Sequence, residues 1–449
     1  MLSCSRVKRL VINLIRTSSK LILFAICIVS FIYLFDNLMV HPVLPIYAKS
    51  IGATVFMVGL IMGVYSMTNC IGNITWGRLS DVKGRRLPLV IGFLVSGVVV
   101  LLYSTAFKPV DLLVLRLIHG FFSGALGPCT LTLMTDLAPP ERRGTYMGVY
   151  GASISLSATI SPALAGILST KYGPSAVWLT IFIAFLTAAL IIVTLIPETH
   201  RKAHKDFRES LNSTSTLKIS IRSILKRRNV VISIWGIFAW YWVLGTIVTL
   251  FTLYLSNLYE TGFISVDPRM AFGMLMSIYG IAVLFLNYPM GRISDIIGRK
   301  IPLICGYIMV SVGLFLLTVN SIAVMVVAWI ALLAISHALV WPSITALLMD
   351  ELLPFERGIG AGFFELFLTL GTAIGMPIMG LLGGMLGFAC GIRFAAILPI
   401  SALLLSLFIV PKPKVEAKVS LKIKISTIVI IVALLATSYP YIMFLSPKH

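Results

Sequence analysis

Long apolar blocks alternate with short polar connections along almost the whole chain. Twelve blocks reach or approach the roughly 18–20 residues that cross a bilayer as a helix. They fall near 21–47, 54–77, 87–106, 110–135, 145–170, 174–196, 231–256, 270–291, 301–319, 322–349, 358–386 and 390–410. A thirteenth, 426–445, is interrupted by "SYPY" and either spans or lies along the membrane. Only helices and closed barrels satisfy every backbone N–H and C=O in lipid, so blocks of this length predict an all-α polytopic membrane protein.

Composition agrees. Of 449 residues, 58% are hydrophobic and 12% charged, against about 25% charged in soluble domains. The net charge of +20 would suit a nucleic-acid binder, but its placement points to topology. With the N-terminus in the cytoplasm, 29 Lys and Arg fall on the cytoplasmic side, six fall opposite, and Arg116 alone lies inside the membrane. That is the positive-inside bias, and no acidic partner is needed to explain it. The expected location is the plasma membrane, crossed many times, with a cytoplasmic N-terminus. The first apolar block contains Asp36 and lacks an A-x-A site, so it reads as a span and not as a cleaved signal. The six cysteines are scattered without a C-x-x-C, which predicts neither disulfide framework nor metal site.

Polar motifs repeat at one spacing. "WGRLSDVKGRR" (76–86) returns as "MGRISDIIGRK" (290–300), a shift of 214 positions. The same shift links Pro128 to Pro342, Asp136 to Asp350, Gly144 to Gly358, Gly166 to Gly380 and Pro197 to Pro411. The chain is therefore two parallel repeats of six helices, an arrangement that places a substrate site between the halves near mid-membrane. The expected divisions are a basic tail (1–20), an N-terminal bundle (21–197), a cytoplasmic linker (198–229) with a surface-lying amphipathic piece around "LKISIRSILKRR", a C-terminal bundle (230–411), and a basic segment with the thirteenth run (412–449).

Twelve helices in a 6+6 repeat, with G-x-L-S-D-x-x-G-R-R after the second, resemble the major facilitator superfamily over residues 20–411. Physically, Gly77 and Gly291 would let helices meet closely, and Gly84 and Gly298 would permit tight turns. Asp81 and Asp295 would sit near the start of the next helix, against its positive dipole end. Arg85, Arg86, Arg299 and Lys300 would reach Asp136, Glu141, Glu198, Asp350 or Glu356. The resemblance makes this cluster a latch for the cytoplasmic mouth. A simple basic anchor would need neither the aspartates nor the glycines.

Ionisable groups inside the spans are costly and mark function. They are Asp36 and His41 in the first span, Arg116 and His119 in the fourth, His337 in the tenth and Glu365 in the eleventh. "YLFDNLMVHPVLPIY" resembles the first helix of drug–proton antiporters, where an acid precedes P-x-L-P; an ion pair between Asp36 and Arg116 is the structural alternative. "RLIHG" resembles the family's R-x-x-Q-G, tied to proton coupling, with His119 in place of Gln. That exchange either adds a titratable group or keeps a hydrogen bond. Helix 5 matches the antiporter pattern in part, reading Ser161-Pro162-x-x-Ala165-Gly166. The repeat mates of Arg116 and His119 are Ile330 and Leu333, so the charge belongs to one half. Glu365 either meets substrate or pairs with His337.

Asp36, Arg116 and His119 are thus expected to couple protons, and Asp36, Asn37, His41, His337 and Glu365 to line the substrate cavity. No nucleotide-binding, zinc-protease or G-x-S-x-G motif occurs, which argues against an enzyme. The expected function is proton-coupled export of amphiphilic or cationic compounds by a monomer without cofactor, the proton being the coupling ion. The alternative is an importer of an organic acid or other nutrient.

Overall fold

A computed structural model describes residues 4–139, 143–198, 224–319, 323–353 and 356–409. The thirteenth run and most of the linker lie outside the described residues. Twelve helical segments are long and apolar enough to cross a membrane. These are α1 (Leu21–Ser50), α2 (Val55–Lys83), α3 (Arg86–Thr105), α4 (Pro109–Leu137), α5 (Thr145–Tyr172), α6 (Pro174–Leu195), α7 (Arg228–Glu260), α8 (Pro268–Ile297), α9 (Lys300–Thr318), α10 (Ala328–Glu351), α11 (Gly362–Leu386) and α12 (Phe388–Ser406). Among the described residues there is no strand. The twelve expected spans are present, and the protein is a multi-pass membrane protein.

Local chemistry sets the ends. Thr54 caps α2 by accepting from the Met57 N–H at 3.2 Å. Asp111 accepts from the Phe107 and Lys108 N–H groups at 3.1 and 2.9 Å, closing the first turn of α4. Gly84 and Gly298 follow α2 and α8 with φ of +95° and +90°, a region essentially reserved for glycine. Inside α1 the helix breaks at His41–Val43 and resumes at Leu44. Pro42 and Pro45 account for the break, since proline has no N–H to give to the helix ladder.

Each half has its own buried cluster. One surrounds Phe93, Trp178 and Phe185; the other surrounds Trp240, Phe251 and Trp329. Outward-facing Leu190, Phe285 and Leu404 are more than half exposed, as lipid-facing side chains are.

The spans alternate, so the ends bearing Arg85, Arg86, Arg227, Arg299 and Lys300 share one side of the molecule, the basic face. The halves meet tightly only toward the opposite face. There α2 packs on α11 and α5 on α8 through backbone. A Cβ at Gly59 would lie 2.3 Å from the Met376 carbonyl oxygen, and one at Gly273 would lie 2.2 Å from that of Pro162. The Ala163 N–H donates across this seam to Ser277 Oγ at 3.2 Å. Toward the basic face the same four helices part. A Cβ at Gly77, Gly148, Gly151 or Gly362 would meet nothing within 4 Å. The expected close approach at Gly77 is therefore absent in this conformation, because Gly77 lies on the face of α2 turned away from α4, which the neighbouring Trp76 contacts. The cavity between the halves opens on the basic face.

Gly273→Val must spread the closed seam, since its neighbour is rigid backbone. Spin labels on cysteines introduced at Lys171 and Phe263 should move apart in this variant, as read by pulsed electron paramagnetic resonance. An unchanged distance would contradict the packing described.

Candidate functional site

Two polar systems stand out in this apolar molecule, one inside the N-terminal half and one at the basic face.

The first is built where α1, α2, α3 and α4 converge. Asp36 precedes the break in α1 and has no exposed surface. His119 is likewise fully buried, and its Nε2 lies 3.0 Å from Asp36 Oδ2. The contact is close enough for an ion pair but off the axis of a hydrogen bond, and neither carboxylate oxygen has a hydrogen-bond partner. On the other side of the ring, His119 Nδ1 is 2.7 Å from Tyr103 Oη. Tyr65 meets the His119 ring edge-on at 5.0 Å and shares a 2.8 Å hydrogen bond with Ser123.

Arg116, 2% exposed, lays its guanidinium 4.1 Å over the Tyr65 ring and donates from Nε to the Ile61 carbonyl at 3.4 Å. A guanidinium on an aromatic face is attracted by the ring quadrupole. The alternative Asp36–Arg116 ion pair does not form: Asp36 meets His119, and Arg116 is held as a fixed charge on Tyr65. Gly120 makes this convergence feasible, because a Cβ there would lie 2.4 Å from the Tyr65 carbonyl oxygen. His41 is half-buried at the break in α1, within electrostatic range of Arg116 and Asp36. Asn37 lies beside Tyr65.

In the C-terminal half, His337 bonds to Tyr279 Oη and is ringed by Trp240, Tyr279 and Trp341 at 5.4, 5.7 and 5.9 Å. It does not take up the local pair with Glu365 that the sequence left open. Glu365 is exposed to the cavity, yet it lies in the electrostatic field of Tyr33, Tyr150 and Tyr241, from α1, α5 and α7. It thus faces the other half across the opening.

At the basic face the 214-residue repeat persists atom by atom. Arg85 Nη1 binds Asp81 Oδ1 at 2.5 Å and Ser80 Oγ at 2.9 Å, and its Nε is 3.6 Å from Asp136. Arg299 repeats this with Asp295, with Ser294 Oγ at 3.2 Å and with Asp350 at 3.4 Å. Arg86 donates to the Val193 carbonyl, and Lys300 donates to its mate, the Leu407 carbonyl. Burial works against the Arg85 charge, but the Asp81 carboxylate outweighs it and raises the guanidinium above its ordinary range.

Three expectations change at this face. Asp81 lies in the last turn of α2, not at the start of α3. The anion at the start of α3 is Glu198, which accepts from the Arg85 and Arg86 N–H groups at 3.0 and 3.2 Å. The partner of Glu356 is Arg227, bonded at 2.6 and 2.7 Å, and this bond holds the Glu356 carboxyl below its usual range. Glu141 lies outside the described residues. Each of these contacts stays within its own half, which matches a mouth that is open. Gly291 has only Pro342, at 3.6 Å, near its missing Cβ.

Tyr103 was not anticipated as a site residue. "LLYSTAF" looks like any span end, and only the fold brings Tyr103 to His119. No group of three or more His, Cys, Asp or Glu suited to a metal occurs among the described residues.

Comparison with known proteins follows the same lines. The family model described as Major Facilitator Superfamily matches residues 26–272 and 266–448. A protein of Methanocaldococcus jannaschii named "Uncharacterized MFS-type transporter MJ1560" is 27% identical over 385 residues, 84% of this chain and 95% of that one. The multidrug resistance protein MdtG of Proteus mirabilis is 26% identical over 355 residues, 76% of this chain and 84% of that one. Among solved structures, a bacterial homologue of the human lysosomal transporter Spinster, inward-facing and unoccupied, superposes with a TM-score of 0.68 at 12% identity, over 96% of this chain and 99% of that one. A POT family transporter in complex with 5-aminolevulinic acid gives 0.67 at 13% identity, over 86% and 94%. These structural likenesses show the fold.

Gly84→Ala should cost about 1–3 kcal/mol from backbone strain alone. It should also dislodge Glu198, whose carboxylate carbon would lie 2.5 Å from the new Cβ. Gly298→Ala carries the same strain but meets open space. Thermal unfolding in detergent should rank Gly84→Ala below Gly298→Ala, with both below the parent. Equal losses would refute the Glu198 contact.

Proposed function

Because the chain belongs to the Major Facilitator Superfamily and is a transporter rather than an enzyme, we propose that it exports amphiphilic, cationic organic compounds in exchange for protons. The observation that carries this is the buried Asp36–His119 contact. A carboxylate with no hydrogen-bond donor and no exposed surface is expensive when charged, and binding a proton relieves the cost. Its charge state then depends on how the surrounding helices pack, which is the link a coupled carrier needs. Arg116 cannot release its proton and so sets a constant field beside the pair.

The substrate class follows from Glu365. It offers a negative charge to the open cavity, with Tyr33, Tyr150 and Tyr241 around it, and a carboxylate among aromatic rings suits an organic cation. The multidrug resistance relatives point the same way. Import of an organic acid would need an exposed cation in the cavity, and Arg116 is instead buried against Tyr65.

With the basic face cytoplasmic, as the positive-inside bias indicates, the conformation is inward-open. Substrate enters from the cytoplasm. Closure would bring the α2–α3 and α8–α9 loops together and open the seam at Gly59 and Gly273. The protein acts in the plasma membrane without a cofactor, the proton being the coupling ion, and works as a monomer.

Proteoliposomes with an acidic interior and an enclosed pH dye test the assignment. Adding ethidium or tetraphenylphosphonium should discharge the gradient, and Asp36→Asn should abolish the discharge. Glu365→Gln should weaken it about tenfold or more for the cations while the protein stays folded. Discharge by benzoate instead, dependent on Arg116, would overturn the assignment.

A further inference from the structure

His119 has two ring nitrogens, and the fold gives each a different neighbour. Nε2 faces Asp36 Oδ2 at 3.0 Å, and Nδ1 faces Tyr103 Oη at 2.7 Å. All three side chains have zero exposure. We propose that Tyr103 is a positioning residue that fixes the tautomer of His119, so that the coupling proton is taken up at Nδ1 and held by the Asp36–His119 pair rather than by Asp36 alone. This rests on the proton-coupled function above.

A phenol can donate or accept, and because the Arg116 guanidinium also hydrogen-bonds Tyr103, where it can only donate to Oη, the Tyr103 O–H is assigned to Nδ1. The remaining ring proton then sits on Nε2, the nitrogen 3.0 Å from the Asp36 carboxylate. When a proton arrives, Nδ1 is the free base and accepts it. The Tyr103 hydroxyl rotates, and its oxygen accepts from the new Nδ1–H. No covalent bond breaks, and the gain is one N–H and one positive charge, balanced by the negative charge of Asp36. A hydroxyl can serve both states because the same oxygen is donor and acceptor; a methyl cannot.

The surroundings fit. Facing this pair are His41 from α1, Tyr65 from α2, Tyr103 from α3 and Arg116 from α4. Asp36 favours a positive imidazole and Arg116 opposes it, so the balance is fine enough for a single hydrogen bond to move. Tyr103 is itself anchored. Its ring packs edge-on against Trp178 at 5.4 Å, and its carbonyl accepts from Tyr47 Oη at 3.0 Å. It sits in the short turn Tyr103–Thr105 at the end of α3 away from the basic face. The family's usual Gln at the place of His119 has no such chemistry.

The test is nitrogen NMR of the full-length protein, labelled with 15N-histidine and reconstituted in lipid, with His119 assigned by the signal lost in His119→Gln. The parent should show His119 as the Nε2–H tautomer at high pH and acquire the Nδ1 proton as pH falls. Tyr103→Phe keeps the ring packing but leaves Nδ1 alone. An unpartnered charged N–H costs more than an unpartnered neutral nitrogen, so the titration midpoint should move about one unit toward acid, a tenfold loss in proton affinity. The tautomers should also become mixed. Tyr47→Phe, which removes a hydroxyl without touching His119, should leave both unchanged. An Nδ1–H tautomer in the parent would overturn the proposal even if no variant folds, as would a Tyr103→Phe spectrum identical to the parent. These readouts are independent of transport. A correct tautomer with no Asp36-dependent discharge would sink the transport assignment, whereas Asp36-dependent discharge with the wrong tautomer would sink only the role of Tyr103.

Discussion

A carboxylate sealed inside an apolar bundle must be paired or protonated, because an isolated charge there has no water to stabilise it. Asp36 meets that constraint through a single contact with His119. Removing one member of a buried pair typically costs about 3–5 kcal/mol, since the other is left charged and alone. Much of the N-terminal half serves this contact. The break in α1 lies five residues beyond Asp36. Gly120 admits α4 against α2. Tyr65 holds Arg116 close enough to bias the pair without replacing His119 as partner.

The C-terminal half keeps the architecture and drops the charge. Ile330 and Leu333 occupy the positions of Arg116 and His119 and are buried as ordinary core. Its polar contribution is Glu365, turned to the cavity. One half holds a charge away from water and the other offers a charge to it. Between them lies a seam that is closed by backbone at one end and open at the other. Such a seam can exchange its closed end because both pairs of crossing helices, α2 with α11 and α5 with α8, are related by the same repeat.

Much of this was legible in the sequence. Apolar block length determines the twelve spans, and the 214-residue shift survives as repeated contacts such as Arg85–Asp136 and Arg299–Asp350. In the structure Arg116, His119, Gly120 and Ser123 share one buried face of α4, as residues three and four apart on a helix do. Partner choice was not legible. Asp36 has Arg116 and His119 within reach on the same helix face, and only the approach of α2, which offers Tyr65 to the guanidinium, decides between them. Glu198 took the dipole position expected of Asp81 because α2 continues through Asp81 to Lys83 and the extended residues after α6 bring Glu198 to the start of α3. Tyr103 was invisible, since a tyrosine at a span end carries no mark of what lies beneath it. Gly77 depends on conformation, which no motif encodes.

Reversible proton uptake by the Asp36–His119 pair within the membrane is best read by infrared difference spectroscopy of the reconstituted protein, titrated through the physiological range. The Asp36 carboxylate band should shift as the Asp36–His119 pair gains its proton, vanish in Asp36→Asn and shift in His119→Gln. A spectrum in which no carboxyl band responds to either substitution would contradict the account, leaving Asp36 a static member of the helix packing.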